Sequence, residues 1–223
     1  MGVKYSIVMP VILIEAKHKR VVLQTLDSIK NSSADYELII IDDGSTSKTT
    51  FLDDYADVVV RRKNKGISAS WNDGMSKATA EYVVIINDDI TVPVMWLQEL
   101  SSAFNDAKVG VSAPQLGGMK VQPKRHPMTP VTYSHTFYPG YCFMLKKDRF
   151  YEPFDEQFKT NCGDVDYWHR IRDAGLECAR VGLDIYHQEG GVLHSMGYDA
   201  LSKKSLELFA DKWGFNPQGI YYS

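Results

Sequence analysis

Glu37-Leu38-Ile39-Ile40-Ile41-Asp42-Asp43-Gly44-Ser45 is the stretch on which the fold turns. An unbroken Leu-Ile-Ile-Ile run has no polar face, so a strand built from it must be covered on both sides, as in a parallel sheet held between helices. It ends at two carboxylates and a glycine turn. Toward the N-terminus, Val22, Leu23, Leu26 and Ile29 recur at helical spacing and predict a helix over 19–30, preceded by a buried strand over Ser6–Val11. Toward the C-terminus, Val58–Val60 reads as a third strand, Ile67, Trp71, Met75 and Ala78 mark a helix, and Tyr82–Ile86 is a fourth strand ending in Asn87-Asp88-Asp89. After Pro93, Trp96, Leu97, Leu100 and Phe104 mark a further helix and Val109–Ala113 a further strand. Strands alternating with crossover-length helices predict an α/β protein with an open, mostly parallel central sheet.

That regularity stops at Pro114. Gln115–Tyr138 is proline-rich and aperiodic, and a loop or irregular strand pair of that length points to function. Order returns at Tyr141–Leu145, in a helix over 164–173 ended by Ala174-Gly175, in a strand near Glu177–Val181 and in an amphipathic C-terminal helix over 201–213.

The 223 residues suit one domain, with no room expected for a separate acceptor domain or membrane anchor. A formal net charge of −3 provides no global positive field, so the chain has no strong nucleic-acid signature. Three cysteines without a C-x-x-C fit neither a disulfide framework nor a zinc knuckle, and read as reduced thiols. The apolar run Tyr5–Ile14 is interrupted by Pro10 and falls well short of the roughly 20 residues that span a bilayer, so no transmembrane segment is predicted. The expected location is the cytoplasm, with peripheral contact at a membrane surface compatible with it.

In an open α/β sheet, ligands sit outside the carboxyl ends of the strands. Two strand ends here carry acidic pairs, Asp42-Asp43 and Asp88-Asp89. Carboxylates facing one crevice repel a phosphate directly, so a phosphate-bearing ligand would need a divalent metal between them. A turn or helix cap accounts for one acid at each site but not for the repeated pair. Neither G-x-G-x-x-G nor G-x-x-x-x-G-K-[ST] occurs, which disfavours a dinucleotide site and a P-loop.

The ordered segments Ser6-Ile7-Val8-Met9-Pro10-Val11, Leu38 to Thr46, Asn64-Lys65-Gly66 with Asn72, and Ile85-Ile86-Asn87-Asp88-Asp89 resemble the successive motifs of family 2 glycosyltransferases of the GT-A fold. Phe154-Asp155-Glu156-Gln157-Phe158 and Gly163-Asp164-Val165-Asp166 with Arg170 resemble that family's acceptor-side segment. The resemblance implies a single GT-A domain, with a nucleotide-sugar half over about 1–113 and an acceptor half with a smaller mixed sheet over about 114–223. It implies inverting transfer of a sugar from a nucleotide-diphosphate donor, with uridine the favoured base, to an acceptor hydroxyl of a glycan, lipid carrier, protein or small molecule.

By the same resemblance, Asp43 holds the nucleobase, with Pro10 and Val11 lining its pocket and Asp42, Asn64, Lys65 and Asn72 on the donor side. Asn87-Asp88-Asp89 stands where the family has D-x-D: Asp89 ligates manganese or magnesium, Asp88 lies near the ribose or sugar, and His187 is a further metal or diphosphate contact. Asp164 matches the general base, Asp166 is the fallback, and the family's preceding Glu is Gly163 here. A helix N-cap is the structural alternative for Asp164. Trp168 and His169 are acceptor-side candidates, with core packing the alternative for Trp168. The basic runs Arg61-Arg62-Lys63 and Lys17-His18-Lys19-Arg20 read as solvated surface at least as readily as phosphate contacts. Two other functions stay open at this level: a non-catalytic nucleotide-sugar-binding module, and a sugar-nucleotide nucleotidyltransferase, which the lack of glycine over Met9–Lys19 weakens.

Overall fold

A computed structural model describes residues 2–114, 132–133, 140–183, 185–188 and 198–215. In chain order the elements are β1 (Tyr5–Val11), α1 (Ala16–Lys30), β2 (Tyr36–Asp43), β3 (Val58–Arg62), α2 (Ile67–Lys77), β4 (Tyr82–Ile86), β5 (Ile90–Thr91), α3 (Trp96–Ser102), β6 (Val109–Pro114), β7 (Thr132–Tyr133), β8 (Cys142–Lys146), α4 (Gly163–Asp173), β9 (Glu177–Val181), β10 (Tyr186–His187) and α5 (Tyr198–Trp213).

The central sheet has eight strands in the order β3-β2-β1-β4-β8-β6-β9-β7. The pairs β3·β2, β2·β1, β1·β4 and β6·β9 are parallel, while β8 runs against both of its neighbours and β7 against β9. The sheet is thus mostly parallel, with its mixed part on the side built from the second half of the chain. A separate two-stranded antiparallel ribbon pairs β5 with β10.

Period-2 alternation divides the strand residues between two cores. Ile7, Met9, Leu38, Ile40, Val84, Ile86 and Met144 face one layer, covered by Val22, Leu26 and Ile29 of α1 and Trp96, Leu97 and Leu100 of α3. Val8, Ile39, Ile41, Val83, Ile85, Phe143 and Leu145 face the other, covered by Trp71 and Met75 of α2 and Tyr167, Trp168 and Ile171 of α4. This is why Leu38–Ile41 needs no polar position. A third, smaller cluster of Phe158, Cys162, Val165 and Phe209 docks α5 on the N-terminal half of α4.

The observed elements differ from the sequence expectation mainly at their ends. Strand β2 runs through Asp42 and Asp43, and β3 through Arg61 and Arg62, because each acid lies in register with an arginine. Helix α1 starts at Ala16 because Glu15 and His18 form a reciprocal capping box. The ribbon β5–β10 had no counterpart in the prediction, since two-residue strands are too short to carry periodicity. Of the expected loop over 115–138, only Thr132–Tyr133 is described; Lys124, Arg125, His126 and His135, like His194, lie outside the described residues. No described helix is long and apolar enough to cross a membrane.

Candidate active site

The order β2-β1-β4 reverses the direction of chain growth at β1, so the crevice between the carboxyl ends of β1 and β4 is a topological switch point. Pro10 and Val11 end β1 and are buried there, in register with Ile41 and Asp42. Both acids of β2 serve the protein first. Asp42 accepts hydrogen bonds from the Ser45 backbone N–H (3.0 Å) and the Thr49 hydroxyl (2.7 Å), which closes the Asp-Gly-Ser turn. Asp43 accepts from the N–H groups of Lys65 (2.9 Å) and Gly66 (3.0 Å), and its Oδ1 lies 3.1 Å from Nε of Arg62. A carboxylate offers about four lone-pair sites, so Asp43 retains capacity for one further donor while Asp42 acts as a turn cap. Through Asp43 the Asn64-Lys65-Gly66 motif is pinned to the end of β2, with Asn64 and Lys65 exposed on the rim.

The end of β4 is different. Asn87 and Asp88 are held by their backbones: the Asn87 N–H donates to the Tyr141 carbonyl (2.8 Å) and the Thr25 hydroxyl to the Asp88 carbonyl (2.9 Å). Burial, and then the charge of neighbouring Asp89, push the Asp88 carboxyl up to about 8. A nearby divalent cation would lower the cost of ionising the Asp88 carboxyl. The ribbon β5–β10 brings His187 to Asp89, with Nε2 3.1 Å from Oδ1, and the Tyr141 ring stacks on the His187 ring at 4.6 Å. Asp89 Oδ1 is buried and, among the described residues, has no hydrogen bond despite that proximity. Among the described residues no group of three or more His, Cys, Asp or Glu side chains converges. The pair nevertheless fits a divalent cation whose other positions come from substrate phosphate oxygens, because such ions are commonly held by one or two protein ligands plus phosphates.

The acceptor-side residues lie on α4. Cys162 adopts a left-handed conformation (φ 66°) and the helix begins at Gly163, so Asp164 sits inside the first turn and is not the N-cap. It is 7% exposed and faces the backbone of Gly140. The Glu of the family motif has no space at Gly163: a Cβ there would lie 2.5 Å from Ser68 Oγ and 3.3 Å from the Trp71 ring, and Ser68 donates to the Phe158 carbonyl at 2.7 Å. Gly163→Glu is therefore expected to destabilise the fold by about 1–3 kcal/mol through overpacking. Thermal unfolding of the variant checks this, and an unchanged midpoint would contradict the packing.

Asp166, the fallback base, is placed by the structure in a buried ion-pair network. It is fully buried and accepts from Arg170 Nε (3.1 Å) and Trp213 Nε1 (3.0 Å), with Lys212 Nζ at 2.8 Å. A carboxylate saturated in this way ties α5 to α4 and is not open to an acceptor. Removing one partner of a buried ion pair costs about 3–5 kcal/mol. Asp166→Ala should fall at the low end, about 3 kcal/mol, because Arg170 and Lys212 are partly solvated and can be rehydrated. Denaturant titration measures it.

Three other expectations also change. Asn72 uses both ends of its amide on the 154–156 segment, donating to the Phe154 carbonyl (2.9 Å) and Glu156 (3.0 Å) and accepting from the Phe154 N–H (2.7 Å), so it staples α2 to the acceptor side. Trp168 is 4% exposed and packs edge-on against Phe143 at 4.8 Å, as a core residue. His169 turns to the α5 side among Phe209, Trp213 and Phe215, where burial and Arg172 lower its pKa. Arg61 and Arg62 are bound by Asp53 and by Asp43 and Asp73, which leaves Lys63 and Lys65 as the exposed cations of that run. Sequence reasoning missed Gly140 and Tyr141. Their signal was only a glycine beside an aromatic at the start of a strand.

The mostly parallel sheet with its switch point at β1 and β4, its mixed far side and the ribbon beyond β4 make a GT-A-type fold. The family model for glycosyl transferase family 2 matches residues 6–170, and the chain belongs to that family. Among solved structures, the chain is similar to S. aureus TarS 1-349, with a TM-score of 0.62 at 14% identity over 96% of this chain and 73% of that one. The same TarS segment in complex with UDP-GlcNAc gives a TM-score of 0.61 at 14% identity over 96% and 74%. The mannosyltransferase PcManGT from Pyrobaculum calidifontis, in complex with GDP-Man and Mn2+, gives 0.65 at 16% identity over 98% and 67%. At such identities the likeness establishes a shared GT-A fold.

Proposed function

We propose that this chain is a metal-assisted, inverting glycosyltransferase that moves a sugar from a nucleotide-diphosphate donor to an acceptor hydroxyl. The observation that carries the reading is the 3.1 Å approach of His187 to Asp89 at the end of β4, with Asp164 held against the same Gly140-Tyr141 segment that stacks on His187.

In this reading residues 1–113 bind the donor. Pro10 and Val11 form the floor of the base pocket, and the remaining lone pair of Asp43 accepts from the base, uridine by the sequence resemblance. Asp88 lies near the ribose or sugar, and Lys65 on the rim offers a charge to the diphosphate. Asp89 and His187 hold the divalent ion, manganese or magnesium, which when bound supplies Lewis-acid stabilisation of the departing diphosphate. Residues 114–223 bind the acceptor, and Asp164 takes the proton of its hydroxyl. A hydroxyl is a poor nucleophile at neutral pH, so a carboxylate within about 3 Å of it, on the face of the sugar away from the leaving group, is what inversion requires. The bound TarS and PcManGT donors, UDP-GlcNAc and GDP-Man, support a nucleotide-sugar donor here.

The test is hydrolysis and transfer from a panel of nucleotide sugars with manganese, magnesium or chelator. Turnover that appears with metal and stops with chelator is expected. Absence of turnover with every donor, indifferent to metal, together with donor binding unaltered in Asp89→Ala, would leave only a binding module.

A further inference from the structure

We propose that Gly140 is the positioning residue for Asp164, the close-packed backbone wall that sets the direction of the carboxylate. The inference rests on the reading of Asp164 as base.

An ideal Cβ placed on Gly140 would lie 2.2 Å from Asp164 Oδ2, 2.8 Å from Cγ and 3.2 Å from Cβ. The backbone of Gly140 therefore lies along the entire carboxyl arm, not merely its tip. The arm has little freedom to yield. Its Cβ is fixed by the first turn of α4, which is itself wedged against Ser68 and Trp71 at Gly163, and the residue is 7% exposed. A methyl group at position 140 would therefore force the Asp164 carboxyl to move from its present place.

The wall is rigid for a reason visible one residue further on. The Tyr141 carbonyl accepts the Asn87 N–H at 2.8 Å, the Tyr141 ring stacks on His187, and β8 then pairs with β4 from Cys142↔Ile86 onward. A two-residue segment thus touches the base on one side and the acid–imidazole pair on the other. A misplacement of about 1 Å in a reacting group costs on the order of 100-fold in rate.

The experiment compares wild type, Gly140→Ala, Asp164→Asn, Asp164→Ala and the double variant Gly140→Ala/Asp164→Ala, reading kcat, donor KM and thermal midpoint. Gly140→Ala should lower kcat by about 100-fold with the donor KM unchanged. It should also lower the thermal midpoint more in the Asp164 background than in the Asp164→Ala background, where the two closest contacts are gone and only the 3.2 Å contact with Cβ remains. An equal loss of midpoint in both backgrounds, or an unchanged kcat, overturns the proposal. If Gly140→Ala fails to fold, a folded double variant supports the contact and an unfolded one refutes it. The two readings fail separately. Full activity in Asp164→Asn removes the base assignment, whereas an inactive Asp164→Asn beside a fully active Gly140→Ala removes the positioning role alone.

Discussion

Asp164→Asn is expected to reduce kcat for sugar transfer by about 1,000-fold while leaving donor affinity unchanged, the middle of the range that a positioned general base contributes. Asn is nearly isosteric, so the contact with Gly140 and the start of α4 persist and only the proton acceptor is lost. Asp166 cannot substitute, because Arg170, Trp213 and Lys212 already hold it in a buried site. Donor affinity should hold because the base pocket at Pro10, Val11 and Asp43 lies at the ends of β1 and β2, separate from α4. Steady-state kinetics with calorimetric titration of the nucleoside diphosphate decides it. Transfer at the wild-type rate would place the base elsewhere.

Asp89→Ala should cost at least as much. Loss of several kcal/mol of charge stabilisation at the leaving group corresponds to about 1,000-fold or more in rate. Asp89 carries this weight because its Oδ1 is buried without a hydrogen bond among the described residues, and a buried acceptor left unsatisfied is expensive unless a ligand completes it. His187→Ala should have a smaller effect, since its side chain is 36% exposed against 12% for Asp89 and water can enter in its place. The spectrum of bound manganese, titrated by electron paramagnetic resonance, gives a readout independent of turnover. Wild-type manganese affinity in Asp89→Ala would refute the assignment of the pair.

The consequences differ for the residues that the sequence alone grouped together. Asp42, Asp43, Asp88 and Asp89 look alike as two acidic pairs, yet Asp42 closes a turn and Asp43 is held by Arg62 and two backbone N–H groups, while Asp89 Oδ1 has no hydrogen bond among the described residues. Nothing in the letters separates them. What separates them is packing: β3 lies parallel beside β2 and brings Arg62 to Asp43, whereas the pairing of β4 with β8 ends at Ile86↔Cys142. Trp168 and His169 follow Asp164 by about one helical turn, close enough in sequence to suggest an acceptor role. On α4, however, neighbours in sequence point to different faces, which puts Trp168 under the sheet and His169 against α5. Gly163, which looked like a lost catalytic side chain, is a packing requirement of α2 against α4.

Local pattern alone determined the α/β class, the alternation of strands and helices through Val109 and the position of both acidic strand ends, because hydrophobic periodicity is a short-range property of the chain. Motif order along the sequence likewise identified the family. Tertiary structure decided what each carboxylate faces. It brought His187 to Asp89 across nearly 100 residues, laid Gly140 against Asp164, buried Asp166 and Trp168, and tied Asn72 to the 154–156 segment. A side chain's chemistry depends on what its last unpaired atom faces. That is set by packing between elements distant in sequence, and no local pattern records it.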